Sequence, residues 1–146
     1  MERILNTYME DIDLQFWHDL IQRYGTLVTF DEGEYLCRHG EGSTTFGYVL
    51  SGNFHYEIEG TDHKNHVVNS VFSDALVGDY PGCMYDDVSL FDIKAFVRSS
   101  AYLMDARILV NLFEQDSYIE NQGRLLIEGM FRCLANRYAD LVYNNL

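Results

Sequence analysis

Glycines separate short runs of strand-forming residues near the start of the chain, and this pattern limits the possible folds. Gly33, Gly40 and Gly52 punctuate the stretch from Phe30 onward, FDEGEYLCRHGEGSTTFGYVLSG. Strand-like runs with turn glycines roughly 7–12 residues apart are typical of an antiparallel barrel or jelly roll. We expect each of the three glycines to occupy a turn with positive φ, where a β-carbon would add strain.

Helices are predicted on both sides of the strands. Asp11 or Asp13 is a candidate N-cap for a helix over residues 11–25, and Gly25 stands where a C-cap glycine is common. The apolar residues of this helix recur at helical spacing: Leu14, Trp17, Leu20, Ile21 and Tyr24. Strands are predicted over 27–30, 34–37, 46–50, 53–59, 66–72 and 93–104, with an irregular segment over 76–92. A short helix over 107–115 and a long helix over 117–143 follow.

Two of the predicted strands have alternating side chains. In NFHYEIE, residues 53–59, Phe54, Tyr56 and Ile58 fall on one face, as in a half-buried strand. Small or apolar residues alternate over the whole of 93–104, from Ile93 to Leu103. We therefore expect a single strand over 93–104.

The predicted long helix has two apolar stripes. One stripe steps by four, three, four and three residues, as in a coiled-coil seam: Ile127, Phe131, Leu134, Tyr138 and Leu141. The neighbouring stripe contains Leu126, Met130 and Cys133. Two apolar faces indicate that one packs on the strands and the other meets a second chain. The alternative is one wide core-facing stripe in a monomer.

The glycine-punctuated stretch also resembles a known family. Phe30-x-x-Gly33-Glu34-x-Leu36, Arg38-x-Gly40-Glu41 and Phe46-x-Tyr48-Val49-Leu50-Ser51-Gly52 resemble the start of the cyclic-nucleotide-binding domain of bacterial Crp/Fnr-type transcription regulators. The resemblance implies a mainly β fold: a double-stranded β-helix, or jelly-roll barrel, of about eight strands with an N-terminal helix and a long C-terminal dimerisation helix. Residues 1–116 would then sense an effector, and residues 117–146 would form a homodimer.

In that family a helix-turn-helix DNA-binding domain follows the long helix. This chain stops at Leu146, where such a domain would begin. We therefore expect the sensor half of a longer regulator, with a stand-alone sensor as the alternative. The regulated genes and the DNA site are not predicted by the sequence.

The resemblance also implies a ligand site. In nucleotide-binding members, the loop after the sixth strand holds the cyclic phosphate through backbone N–H groups, a Gly-Glu pair and an arginine. Gly78 and Asp79 match the Gly-Glu pair, and Tyr80 and Gly82 are the other loop positions carried over. Ser99 and Tyr138 are further candidate ligand contacts, from the following strand and the long helix.

The phosphate-binding arginine is missing. No Arg or Lys occurs between Lys64 and Lys94, and Phe91-Asp92-Ile93 stands where the arginine tripeptide belongs. The loop instead contains four aspartates: Asp79, Asp86, Asp87 and Asp92. Like charge opposes a phosphate, so we predict that the usual cyclic-nucleotide binding is lost or very weak. The loop then either only packs the end of the barrel or forms a pocket for a neutral, aromatic or cationic ligand, lined by Tyr80, Met84, Tyr85 and Phe91.

Charge and cysteine content narrow the function further. The net charge is −13, so the chain by itself should not bind nucleic acid, and DNA contact would require the missing domain. Cys37, Cys83 and Cys133 are isolated in sequence, which fits a reducing cytoplasm. No apolar stretch approaches the roughly 18–20 residues that span a bilayer, so no membrane partner is expected.

Other chemistry is possible but has weaker signals. A cupin-like metalloenzyme would need metal ligands from among four of the histidines, His39, His55, His63 and His66. A haem sensor would use His39, His55 or Cys83 as an axial ligand. We expect no metal site and no enzymatic activity, and the remaining alternative is an interaction module without a ligand. The identity of any cofactor or effector stays open.

Overall fold

The computed structural model describes residues 6–85 and 87–144. Short 3₁₀ helices lie at Thr7–Glu10 and Gly82–Met84. The α-helices are α1 (Leu14–Tyr24), α2 (Arg107–Gln115) and α3 (Ser117–Asn144). The strands are β1 (Thr26–Phe30), β2 (Tyr35–Cys37), β3 (Thr45–Ser51), β4 (Asn53–Glu59), β5 (Asn65–Phe72), β6 (Ala75–Gly78), β7 (Asp92–Ala95) and β8 (Ser99–Asp105).

The strands form two four-stranded antiparallel sheets. Their orders are β1-β8-β3-β6 and β2-β7-β4-β5. Side chains from both sheets meet in a fully buried core that includes Val49, Phe54, Ile93 and Ala101. The predicted mainly β jelly-roll architecture, with an N-terminal helix and a long C-terminal helix, is confirmed.

The first helix begins and packs as its sequence predicts. Asp13 is the N-cap, and its Oδ1 accepts a hydrogen bond from the backbone N–H of Phe16 at 3.0 Å. Trp17 and Ile21 are completely buried against a second apolar cluster that also contains Leu126 of α3. This cluster joins the helices to the sheet that contains β3.

The three turn glycines also agree with the prediction. Gly33, Gly40 and Gly52 have φ of 86°, 82° and 90°. Gly25, in contrast, is not a left-handed C-cap, because its backbone is extended with φ of −120°. Its requirement for glycine is steric, since an added β-carbon would lie 2.7 Å from the carbonyl oxygen of Ile21.

The single strand predicted over 93–104 is wrong. Strand β7 ends at Ala95 and belongs to one sheet, whereas β8 begins at Ser99 and belongs to the other. Between them the chain crosses from sheet to sheet, and Val97 is exposed rather than inward-facing. The alternation of apolar residues continues through the crossing, so the local pattern contains no signal for the break. The predicted irregular segment also includes most of β6, which pairs with β3.

Strand β4 departs from strict alternation. Phe54 and Tyr56 are buried as predicted, but Ile58 is 41% exposed and Glu57 is buried. The register against β5 shifts between Tyr56 and Glu57, where Val68 is an additional residue on β5, whereas the register of β4 against β7 is continuous through Glu57. Lys94 lies 3.5 Å from the Glu57 carboxylate and compensates its charge.

The long helix presents two different apolar faces. Leu126 and Cys133 are buried, and Met130 packs against the core with them. The other stripe is exposed, and we call it the seam: Ile127, Phe131, Leu134, Tyr138 and Leu141. The alternative of one wide core-facing stripe is therefore wrong. Within the described residues, no helix is both long and apolar enough to cross a membrane.

Candidate functional site

A cavity of about 240 Å³ lies between the strands, the first 3₁₀ helix and α3. Its walls come from elements far apart in sequence. The lining residues are Asn6, Tyr8, Phe46, Tyr56, Ile58, Val68, Asn69, Leu76, Val77, Gly78, Asp79, Tyr80, Phe91, Leu126, Met130, Cys133, Leu134 and Arg137. Half of these residues have apolar side chains, and the polar groups come from three tyrosines, two asparagines, Asp79 and Arg137.

Aromatic rings form much of the wall. The ring centroids of Phe46 and Tyr80 are 5.0 Å apart, and those of Tyr56 and Phe91 are 5.5 Å apart. The edge and face contacts within each pair fix the positions of the rings in the wall. The cavity therefore offers aromatic surface from both sheets and from the loop that follows β6.

Tyr56 holds the end of β6 in place. Its hydroxyl donates to the carbonyl oxygen of Gly78 and accepts from the Gly78 N–H, both at 2.9 Å. Burial raises the pKa of Tyr56, so the hydroxyl keeps the proton that it donates. Gly78 has φ of 135°, which side chains rarely adopt, and an added β-carbon would lie 2.9 Å from the Thr45 carbonyl oxygen.

The loop between β6 and β7, residues 79–91, is here called the cassette loop. Its backbone donors are used within the loop: Cys83 N–H donates to the Asp79 carbonyl at 2.8 Å, and Met84 N–H donates to the Pro81 carbonyl at 2.9 Å. The Asp79 carboxylate accepts from the Leu90 N–H at 3.1 Å. A phosphate cradle needs N–H groups that have no other partner. These three donors are therefore not available to a phosphate.

Three of the predicted ligand residues line the cavity, namely Gly78, Asp79 and Tyr80. Gly82 does not, but it packs beside the Asp79 carboxylate, where an added β-carbon would lie 3.5 Å from Oδ2. The aspartates of the loop do not act together. Asp92 accepts from the His39 N–H at 2.8 Å, away from the cavity, and Asp86 lies outside the described residues.

The structure does not bring Ser99 and Tyr138 to the cavity. Ser99 lies at the end of β8 that pairs with Phe30, and its hydroxyl donates to the Val97 carbonyl oxygen at 2.7 Å. The Ser99 hydroxyl oxygen also accepts a hydrogen bond from the Asn53 N–H at 2.9 Å, so Ser99 links β8 to the start of β4. Tyr138 is 69% exposed and belongs to the seam.

The alternative aromatic pocket is present only in part. Tyr80 and Phe91 line the cavity as predicted. Met84 is instead buried in the core cluster that contains Leu109, and Tyr85 is 71% exposed. The predicted lining by Met84 and Tyr85 is therefore wrong.

One positively charged residue lines the cavity, and the sequence analysis of the cassette loop did not predict it. Arg137 of α3 lines the cavity, and its Nη2 donates to the Val68 carbonyl oxygen at 2.9 Å. The sequence contained a signal, because the barrel-facing stripe through Cys133 continues by one helical step of four residues to Arg137. Lys94 and Arg98, the first two cationic residues after the cassette loop, pair with Glu57 and Asp31 instead.

The histidines make local contacts. His66 lies 3.1 Å from the Asp62 carboxylate, His63 lies 3.6 Å from Glu59, and the His55 ring stacks on Phe96. In residues 6–85 and 87–144 no group of three or more potential ligands is placed to hold a metal ion. Cys83 is buried, which raises its pKa to about 12 and disfavours the thiolate that binds a metal or haem iron.

The sequence model of the cyclic nucleotide-binding domain matches residues 27–116, which is more than half of the chain. No curated protein has a matching sequence. A solved cyclic nucleotide-binding domain from Methylobacillus flagellatus has a TM-score of 0.76 and 10% identity, covering 99% of this chain and 83% of that one.

Two longer bacterial proteins also have similar structures. FixK2 from Bradyrhizobium japonicum has a TM-score of 0.68 and 13% identity, covering 77% of this chain and 55% of its own. The c-di-GMP responsive global regulator CLP from Xanthomonas campestris has a TM-score of 0.69 and 16% identity, covering 90% and 62%. This chain thus spans less than two thirds of either protein. At these identities the likeness shows the fold alone.

Proposed function

The chain belongs to the cyclic nucleotide-binding domain family, and on that basis we propose that it is the effector-binding and dimerisation part of a Crp/Fnr-like transcription regulator. Crp/Fnr-type regulators, FixK2 and CLP among them, are its neighbours in structure. In this proposal residues 1–116 sense the effector and residues 117–146 form the dimer. The related proteins are regulators rather than enzymes, which supports a binding role.

The main support for the proposal is one residue that belongs both to the cavity and to the seam, and so links effector binding to dimerisation. Leu134 lines the cavity and is also 58% exposed in the seam of α3. An effector in the cavity would contact the inner side of Leu134, and a second chain would contact its outer side. Binding would therefore favour one seam geometry over another, provided that the effector has different affinities for the two dimer states.

The length and the exposure of the seam support the proposed dimer. A helix of 28 residues is about 42 Å long at 1.5 Å per residue. Phe131 is 70% exposed and Leu141 is 61% exposed, so both side chains lose water when a second seam covers them. The net charge of −13 opposes contact with phosphates, so DNA binding would need a further domain. The free cysteines support a cytoplasmic location for the whole protein.

Analytical ultracentrifugation of the purified chain tests the dimer. We expect wild type to be a dimer and Phe131→Glu to be a monomer, because a buried carboxylate in an apolar seam is strongly unfavourable. Asn136→Glu is the matched control, since Asn136 is exposed outside the seam and receives the same charge. A monomeric wild type, or equal dissociation of the two variants, would contradict the dimerisation proposal.

Thermal unfolding with a panel of compounds tests effector binding. The panel contains cAMP, cGMP, cyclic dinucleotides, haem and common metabolites. A ligand at a hundredfold excess over its Kd stabilises the native chain by about 2.7 kcal/mol. If no compound changes the transition, the chain is an interaction module without an effector.

A further inference from the structure

The geometry points to a compact aromatic compound with one carboxylate as the ligand of the cavity, with Arg137 as the group that binds the carboxylate. This inference rests on the proposed function of the cavity as the effector site. It names a chemical class that differs from cyclic nucleotides in charge and in size. Three features of the cavity support it: its charges, its walls and its volume.

The charges favour a single anionic group. Among the described residues that line the cavity, Asp79 and Arg137 are the charged ones. Asp79 is held in the cassette loop by its bond to the Leu90 N–H, and no described acidic side chain pairs with Arg137. The cavity therefore contains one guanidinium that has a neutral carbonyl as its partner. A ligand carboxylate would be its first ionic partner.

Arg137 lines the cavity and has further donors that could bind that group. Its bond to the Val68 carbonyl uses one N–H of Nη2 at 2.9 Å, and a guanidinium has five such donors. That bond also holds the side chain against β5, so little freedom is lost on binding. A planar guanidinium binds a carboxylate through two parallel hydrogen bonds, which are shorter and stronger than neutral ones.

The walls favour an aromatic body. Phe46 and Tyr80 form one pair of rings and Tyr56 and Phe91 form another, and all four line the same cavity. A planar ring between them would make the offset and edge contacts that aromatic groups prefer. Leu126 adds apolar surface from α3 to the lining.

Size and the cassette loop both oppose a nucleotide. The volume of about 240 Å³ is below the roughly 300–1,000 Å³ of pockets for drug-sized ligands, so it suits one ring system. Loop donors that would hold a cyclic phosphate already bond within the loop, as for Cys83 N–H and Met84 N–H.

Calorimetry on the purified chain tests the inference with matched probes. Benzoate, phenylacetate and indole-3-acetate are the acids, and their primary amides are the uncharged controls of nearly equal shape. We expect at least one acid to bind about ten- to hundredfold more tightly than its amide, which is the range of a hydrogen bond to a charged group. In Arg137→Gln the acid should lose that advantage while the amide is unaffected.

Two further variants separate the role of Arg137 from general effects. Arg137→Lys keeps the positive charge but loses the planar pair of donors that can bind both carboxylate oxygens. We therefore expect an intermediate affinity for the acid. Arg132→Gln removes the same charge from the exposed side of α3, outside the cavity, and should leave binding unchanged. Emission of the buried Trp17 confirms that each variant is folded.

The outcomes are distinct. Equal affinity for acid and amide, or acid binding that survives Arg137→Gln, overturns the role of Arg137. If no acid binds but cAMP or c-di-GMP does, the ligand class is wrong and the proposed effector site stands. If no probe binds and the chain is monomeric, the inference and the proposed function fail together.

Discussion

Tyr56→Phe removes one oxygen atom and two hydrogen bonds from the wall of the cavity. In wild type the Tyr56 hydroxyl both donates to and accepts from the backbone of Gly78, at 2.9 Å in each case. Phenylalanine fills nearly the same volume, so apolar packing is conserved. The variant therefore isolates the energy of a side-chain bridge to the end of β6.

The expected loss of stability follows from the burial of the groups that remain. Each buried polar group left without a partner costs roughly 1–3 kcal/mol. Gly78 is only half-buried, so its N–H and carbonyl groups fall at the lower end of that range. We expect the free energy of unfolding to decrease by about 2 kcal/mol, which lowers Tm by roughly 4–8 °C in a chain of this size.

Urea unfolding followed by the emission of Trp17 measures this change, because Trp17 is the sole tryptophan and is completely buried. Tyr48→Phe is the matched control. Tyr48 is also a buried strand tyrosine, but its hydroxyl bonds to the exposed Asp74 at a long 3.4 Å. Water can replace that bond, so the loss should stay below about 1 kcal/mol.

Protein concentration must be equal for all variants, because dimerisation would add to the measured stability. The reasoning fails if Tyr56→Phe is no less stable than Tyr48→Phe. It also fails if the denaturant slope of Tyr56→Phe changes strongly, since the loss would then reflect altered compactness rather than two missing bonds.

Two other predictions concern a pair of glycines and a cysteine. Gly33→Ala should lower the free energy of unfolding by about 1–2 kcal/mol, because of its positive φ alone. Gly52→Ala should lower it by about 1–3 kcal/mol more, because the added β-carbon would collide with Ser99. Equal losses in urea unfolding would contradict this prediction. Burial raises the pKa of Cys83 to about 12, so at pH 8 only about one thiol in 10,000 is ionised. Peptide mapping after treatment with a thiol reagent should therefore find Cys83 modified only in urea, and rapid labelling of the native chain would oppose the buried placement.

Features that depend on local physics were predictable from the sequence. The positive φ of Gly33, Gly40 and Gly52 follows from turn chemistry, and the helix over 107–115 matches its predicted bounds. The two stripes of α3 follow from helical periodicity, which fixes the face of each side chain before any packing is known.

The candidate site was predictable only in the cassette loop. Gly78, Asp79 and Tyr80 line the cavity because they directly follow or end β6, a position that local motif spacing identifies. Ser99 was predicted to contact the ligand from the strand after the loop, but that strand divides after Ala95 and Ser99 begins β8 in the other sheet. The position of Arg137 at the cavity was not predicted, because Arg137 lies 58 residues beyond Asp79 in the sequence.

The sequence by itself determined where turns form, that an aspartate precedes α1 as its N-cap and which faces of α3 are apolar, since these depend on φ preferences and on spacing along one element. Only the tertiary structure decided that residues 92–105 divide between two sheets and that Arg137 meets the cassette loop across one cavity. The physical reason is that sheet membership and cavity walls depend on hydrogen bonds and packing between distant segments. A local pattern of alternation is the same whichever sheet the strand joins.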